Sequence, residues 1–456
     1  MKGEAVELQV SPRQEPSTQL LGATREPKWS LGFVGVLMYL FVEYMRLSAQ
    51  YPVFQAVQVG KVVVALCLLG WVIAPRTRGN SRFTRPIDLT LVLLLFVSLV
   101  SAIFAKYPEA AWLTVLDLFR WVLIYFVISR IVISSWRQRV FFLVFILLND
   151  KMAQAAIRSF HAAKEFGRSD ELLAKIGVGA GSVGFFSNAG DFGVAMSVVL
   201  PLAGIMLLGE SKKLPRLFFL ASFVVISGAI IACGSRGAVL GALVAAAVGW
   251  ARNPKRLGSV VVFLLFIPAF IYILPEASKE RWRSAENWQE DRTASHRIAL
   301  WKAGLRMFRD YPLLGAGPGN YPQRYSEKYA EPGDDPTAWV PHSIYIQSLS
   351  ELGLGGTIPV LLLFYFCFRL NYQTRKLLNP KGGSRERFNY FLAFGFDLAL
   401  VGYMVSGAFL TVLYYPHLWM ILAMSVGLHT AVTRRPAPQT AEEAQIDVAL
   451  PVTAEG

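Results

Sequence analysis

Apolar residues in this chain come in blocks long enough to cross a bilayer, separated by short polar joints. A spanning helix needs about 20 mostly apolar residues. Stretches of that kind lie at about 29–47, 58–75, 86–105, 112–130, 138–157, 184–209, 215–233, 235–250, 257–274, 350–370, 389–410 and 412–432. Asn149, Asp150 and Lys151 interrupt the fifth, and the short eighth opens on Ser235, Arg236 and Gly237. The pattern predicts an all-α polytopic membrane protein of about 12 transmembrane helices, because only helices and closed barrels satisfy their backbone inside hydrocarbon. The expected organisation is a disordered N-terminus (1–28), helices 1–9 (29–274), a long polar loop (275–341), helices 10–12 (342–433) and a disordered tail (434–456). Residues 1–28 hold no apolar core, so no cleavable signal peptide is expected ahead of the first block.

Lysine and arginine in the joints set the orientation. With the N-terminus inside, the inner joints carry Arg76, Arg78, Arg82 and Arg85; Arg137 and Arg139; Lys212, Lys213 and Arg216; Arg252, Lys255 and Arg256; and Arg375, Lys376, Lys381, Arg385 and Arg387. The opposite joints, 48–55, 106–111 and 411–416, are nearly free of them. The expectation is a membrane protein with cytoplasmic termini and the 275–341 loop on the non-cytoplasmic side. Composition agrees: 54% of residues are hydrophobic and 17% charged, against about 25% charged in soluble domains. The net charge of +14 sits in these joints and does not imply nucleic-acid binding. Cys67, Cys233 and Cys367 are scattered in or beside apolar blocks and read as small packing residues.

Two features break the alternation on the outer side. One is Arg236, in the tight turn CGSRGA at 233–238. An arginine at the end of a helix of Ala, Val, Gly and Leu costs a few kcal/mol unless paired or hydrated. Its planar fork suits phosphate recognition; snorkelling to the interface is the plainer alternative. The other is the long loop. Within it, 296–310 reads as an amphipathic helix with Ile298, Trp301, Leu305 and Phe308 on one face and Lys302, Arg306 and Arg309 on another. Arg297 lies one turn before Trp301 and faces either solvent or a cavity beneath. The glycines of LLGAGPGNYPQRY (313–325) force an irregular backbone that approaches a ligand or merely turns; no Gly-Lys-Ser/Thr follows, so it is not a phosphate loop. His342, just before the tenth helix, stands at the outer mouth, where a neutral imidazole takes a proton from an attacking hydroxyl or simply caps and packs. His161, His296, His417 and His429 fit a packing role better. With no His-Glu-x-x-His, no Cys/His cluster and no nucleophile elbow, no metal or cofactor is expected.

Taken together, CGSRGA, R-x-x-x-W with the following YPLLGAGPGNY across 297–321, and PHSIYIQSLSELGLGG at 341–356 resemble the O-antigen ligase/polymerase superfamily of bacterial membrane glycosyltransferases. YLFVEYMR (39–46) looks like a subset of it. The resemblance spans about 180–365 and implies a metal-independent fold of the polytopic class that uses polyprenyl-linked donors. It implies transfer of a glycan from undecaprenyl diphosphate to an acceptor hydroxyl on the periplasmic side, in lipopolysaccharide or exopolysaccharide assembly. Arg236 and Arg297 would hold the diphosphate, with Arg324 a further donor contact, and His342 would activate the acceptor or assist transfer. Members commonly carry Asn after that histidine, where this chain has Ser343. Ligases, polysaccharide polymerases and protein O-oligosaccharyltransferases share the signature and differ in acceptor: lipid A-core, a growing glycan, or a protein. A small-anion transporter is the alternative from another class, with Asp117, Arg120, Asp191 and Asp397 as its intramembrane candidates.

Overall fold

A computed structural model describes residues 28–47, 51–73, 86–165, 186, 189–252, 292–334, 337 and 339–433. The proposed ninth span (257–274), the first part of the long loop, and both terminal tails expected to be disordered lie outside the described residues. What is described is helical: α1 (Leu31–Met45), α2 (Val59–Ile73), α3 (Pro86–Ile103), α4 (Pro108–Ile131), α5 (Ser135–Glu165), α6 (Ala189–Gly209), α7 (Lys213–Cys233), α8 (Arg236–Ala251), α9 (Arg292–Asp310), α10 (Ile344–Lys376), α11 (Ser384–Gly407) and α12 (Pro416–Thr433). Among the described residues seven helices, α3 to α7 with α10 and α11, are long and apolar enough to cross a membrane, and α1, α2 and α8 are shorter apolar helices. The polar triplet at 149–151 does not break α5, which runs through it unbroken.

The centre of the bundle is α6, apolar around its whole circumference and buried along most of it, as a helix without a polar face must be. It packs on α7, α8 and α11. Membrane helices gain little by hiding apolar surface from lipid that is equally apolar, so close approach through small residues holds them together. A Cβ added to Gly193 on α6 would meet Ala238 Cβ on α8 at 2.8 Å, and one on Gly402 of α11 would meet the Ser197 carbonyl of α6 at 2.7 Å. A Cβ on Gly241 of α8 would collide with Ser406 Oγ of α11, whose hydroxyl bonds Ser197 Oγ at 2.9 Å.

The basic joints gather at one end of the bundle. There Arg139 meets Glu210 at 2.6 Å, Arg375 meets Asp397 at 2.6 Å with Arg252 at 3.9 Å, Arg387 donates to the Leu208 carbonyl, and Arg137 donates to Ser30 Oγ at 3.2 Å. These contacts tie together the ends of α1, α5, α6, α8, α10 and α11 that the lysine/arginine alternation puts on one side. Near the same end a fully buried pair, Asp88 of α3 and Arg130 of α4, closes at 2.6 Å, with Tyr125 Oη donating to the second carboxylate oxygen at 2.7 Å. A charge in hydrocarbon persists only when so compensated.

Between α8 and α10, at the opposite end, stands a small lobe made of α9 and residues 311–341. Its core is Leu300, Ala303 and Met307 of α9 against Tyr321, Tyr325 and Tyr329. The buried stripe of α9 thus differs from the expected Ile298–Trp301–Leu305–Phe308 face: Leu305 is 43% exposed, and Gly304 lies under Ile346 and Tyr321. Small residues at 303 and 304 let the helix sit close to α10, and that contact decides the register over residue size.

Candidate functional site

The segments that carry three of the four residues singled out from sequence converge on the turn joining α11 to α12. Arg236 is the first residue of α8. Gly234 ends α7 in a left-handed conformation (φ 62), and Ser235 caps α8 by accepting from Ala238 N, so CGSRGA is a helix–turn–helix corner that fixes where Arg236 emerges. The next residue, Gly237, abuts Phe409, with a Cβ there only 3.3 Å from Phe409 Cβ. Phe409 in turn faces Trp301 of α9, ring centroids 6.3 Å apart. Trp301 Nε1 donates to the Pro341 carbonyl at 3.1 Å, which latches α9 to the residue before His342. The backbone N–H of His342 donates to Thr411 Oγ1 at 2.8 Å, and Ile344 packs on Gly407.

The backbone at His342 is left-handed (φ 46), a conformation an L-residue with a branched ring disfavours by about 1–3 kcal/mol. It is imposed from both sides, by the Thr411 bond and by the helix that starts two residues later. Ser343 is extended and caps α10, its hydroxyl accepting from Ile346 N. Serine thus supplies the capping hydrogen bond that an asparagine would offer the helix start. The His342 ring is half-buried, and its pKa is pushed down to about 4, first by burial, then by the positive charge of Arg297 and by His296. Arg297, itself half-buried, is thus close enough for its charge to be felt at His342. His296, which sequence pattern assigned to packing, also belongs to this cluster. Its ring lies 5.0 Å from that of Trp339, and its buried Nε2 has no hydrogen-bond partner among the described residues.

Arg324 is placed elsewhere. It is buried in the lobe, where Nη2 donates to Tyr311 Oη at 2.5 Å, Nη1 faces Glu327 at 3.4 Å, and the guanidinium lies over Tyr311 and Tyr329. Glu327 is in turn ion-paired with Lys106 in the α3–α4 joint. Arg324 is not among the charges acting on His342; its observed partners belong to the lobe's own scaffold.

The glycine-rich segment likewise contacts protein. Gly353 breaks α10 (φ 60, ψ −159), which frees carbonyls below and N–H groups above the break. Residues 312–317 take up both: Ala316 N and Gly317 N donate to the carbonyls of Ser350 and Glu351, while Leu354 N and Gly355 N donate to those of Pro312 and Leu313. Glu351, buried at the break, accepts from the backbone N–H groups of Gly319 and Tyr321 and from Tyr414 Oη at 3.5 Å. The lobe is thereby fastened to the same α11–α12 joint that carries Thr411. Sequence reasoning missed Phe409, Thr411, Glu351 and Tyr414; the 411–416 joint looked like a bare connector because its one visible signal was a lack of charge.

Residues 221–361 match the family model described as O-antigen ligase. Over that segment the chain is similar to the O-antigen ligase family. Its matched segment runs from α7 to the middle of α10 and so contains the Arg236 corner, α9 with Arg297, and the His342 turn. No curated protein matches the chain. Among the described residues, no group of three or more His, Cys, Asp or Glu side chains gathers where a metal ion could be held. Of the ionisable groups that suggested a transporter, Asp397 and Asp191 are paired, with Arg375 and with Tyr415 Oη at 2.7 Å.

Proposed function

We propose that this protein, similar to the O-antigen ligase family over residues 221–361, is a membrane glycosyltransferase that moves a glycan from undecaprenyl diphosphate to an acceptor hydroxyl on the periplasmic face. The observation that carries the reading is the convergence of the Arg236 corner, α9 with Arg297, and the strained His342 turn on residues 406–411. In the proposed reaction the acceptor oxygen attacks the anomeric carbon as its proton passes to His342. The bond from that carbon to the diphosphate oxygen breaks, and undecaprenyl diphosphate leaves with the bonding pair. Negative charge grows on the leaving diphosphate, where two guanidiniums in a partly dehydrated site stabilise it. Arg236 and Arg297 take that role; Arg324 holds the lobe in place. His342 is neutral over the whole physiological range, the state a general base requires. Both substrates are amphiphiles, and a site at the junction of a lobe with a helix bundle is reached from the bilayer and from water alike.

The test is transfer by the purified protein from an undecaprenyl-diphosphate-linked saccharide to lipid A-core, glycan and peptide acceptors in parallel. His342→Ala is expected to cut product by roughly 100-fold or more while the protein still inserts and keeps its thermal unfolding midpoint. Undiminished product from that variant overturns the base assignment. Product on one acceptor alone decides between ligase, polymerase and protein glycosylation.

A further inference from the structure

The direction in which the His342 ring leaves the chain is set by its backbone. At φ 46, Cβ is turned through roughly 100° about the N–Cα bond from its place at an ordinary φ of about −60°. Left to itself the residue would fall back, since this conformation costs a non-glycine residue about 1–3 kcal/mol. Something has to hold the peptide group on the N-terminal side of His342 against that rotation. That peptide consists of the Pro341 carbonyl and the His342 N–H, and both ends of it are bonded. The carbonyl accepts from Trp301 Nε1 of α9 at 3.1 Å, and the N–H donates to Thr411 Oγ1 of the α11–α12 joint at 2.8 Å. On the C-terminal side Ser343 is committed to capping α10. The ring therefore leaves a chain that is fixed before and after it.

The two supports are themselves held. Trp301 packs on Phe409. Thr411 is half-buried, and the residue after it, Val412, gives its carbonyl to buried Tyr403 Oη at 2.8 Å. Three residues further on, Tyr415 Oη donates to Asp191 Oδ2 of α6 at 2.7 Å. A hydroxyl on a joint pinned to α11 and α6 needs little further ordering to meet the His342 N–H, which is how rigid supports hold a reacting group in place.

We propose that Trp301 and Thr411 are positioning residues, which clamp the Pro341–His342 peptide from opposite ends and so aim the His342 imidazole at the acceptor hydroxyl. The inference rests on the transfer reading above and adds to it the two residues that act through His342.

Burial, Arg297 and His296 together hold the ring at a pKa of about 4. A ring that swings away from them titrates closer to 6.5 and is a stronger base. A stronger base in the right place transfers faster, so a rise in basicity together with a fall in rate marks lost aim. The experiment pairs turnover with ring-carbon NMR titration of the full chain in detergent. Thr411→Val keeps the side chain's shape and removes the acceptor. Its kcat should fall roughly 10–100-fold with the donor KM little changed, and His342 should titrate above about pH 5. Thr411→Ser, which restores the acceptor, should stay within about 3-fold of wild type and keep the titration near pH 4. Trp301→Phe removes the donor at the other end of the peptide and should move both readouts the same way as valine; this arm stands even where Thr411→Val fails to fold. Wild-type turnover and titration in Thr411→Val, or equal losses in the valine and serine variants, overturn the proposal. If the wild type transfers no glycan, the transfer reading fails by itself, and the titration still decides the clamp.

Discussion

At the scale of single residues the site turns on what surrounds one imidazole. Burial and the Arg297 charge hold His342 near a pKa of about 4, against 6.5 for the free side chain. Such a histidine is always unprotonated in the cell but is a feeble base. A diphosphate bound at Arg297 cancels the very charge that depresses it, so donor binding should raise the His342 pKa and strengthen the base when it is needed. Ring-carbon NMR of the five histidines, with His342→Ala for assignment, checks this. One signal should titrate near pH 4 in the free protein and move upward with undecaprenyl diphosphate or in Arg297→Gln. A signal that stays put in both cases removes Arg297 from the account. The stability linkage has the opposite sign from a salt-bridged histidine. The unfolded chain takes up the proton first, so the fold loses stability as pH falls from about 6.5 to about 4 and loses no more below that.

At the scale of elements, the broken helix α10 and the 312–321 segment are one structure. The break leaves backbone groups that would be ruinous in a dry interior, and the segment satisfies them only because glycine stands on both sides. Gly315 (φ 71) lies against the Glu351–Leu352 peptide, and a Cβ on Gly353 would come within 2.6 Å of Leu313. Gly353→Ala combines a left-handed alanine with overpacking, about 2–5 kcal/mol together. The thermal unfolding midpoint in detergent should fall by several degrees, and protease should reach the lobe sooner. Gly333, also at positive φ (99) but with open space around it, should lose only the conformational part on the same change; equal losses at 333 and 353 contradict the packing role. The sequence displayed this element only in part. Glycines 315, 317 and 319 announced an irregular backbone, but whether they approach a ligand or a carbonyl depends on what lies opposite. Here that is Ser350 and Glu351, some thirty residues away. The register of α9 was lost for a related reason: hydrophobicity pointed to Trp301 and Leu305, while close packing selected Ala303 and Gly304.

At the scale of the whole molecule, block length and charge alternation carried most of the information, because hydrocarbon thickness and backbone satisfaction leave a chain few choices. The inner joints named from sequence meet through Glu210, Asp397 and Leu208 at one end of the bundle. His342 and the Arg236 corner meet at the end where those joints are absent. Buried pairs such as Asp88–Arg130 were invisible, since each partner sits at a helix end where a lone charge looks like an interfacial anchor. This two-ended arrangement gives a direct test of sidedness. The three native cysteines are buried and should react little with an impermeant maleimide. Cysteine placed at the exposed Lys302 of the lobe should be labelled in intact spheroplasts, while cysteine at exposed Ser211, beside the basic cluster, should be labelled only after the membrane is opened. The reverse pattern would turn the protein over and put Arg236, Arg297 and His342 on the cytoplasmic face. A periplasmic transfer reaction would then be excluded, however well the three residues converge.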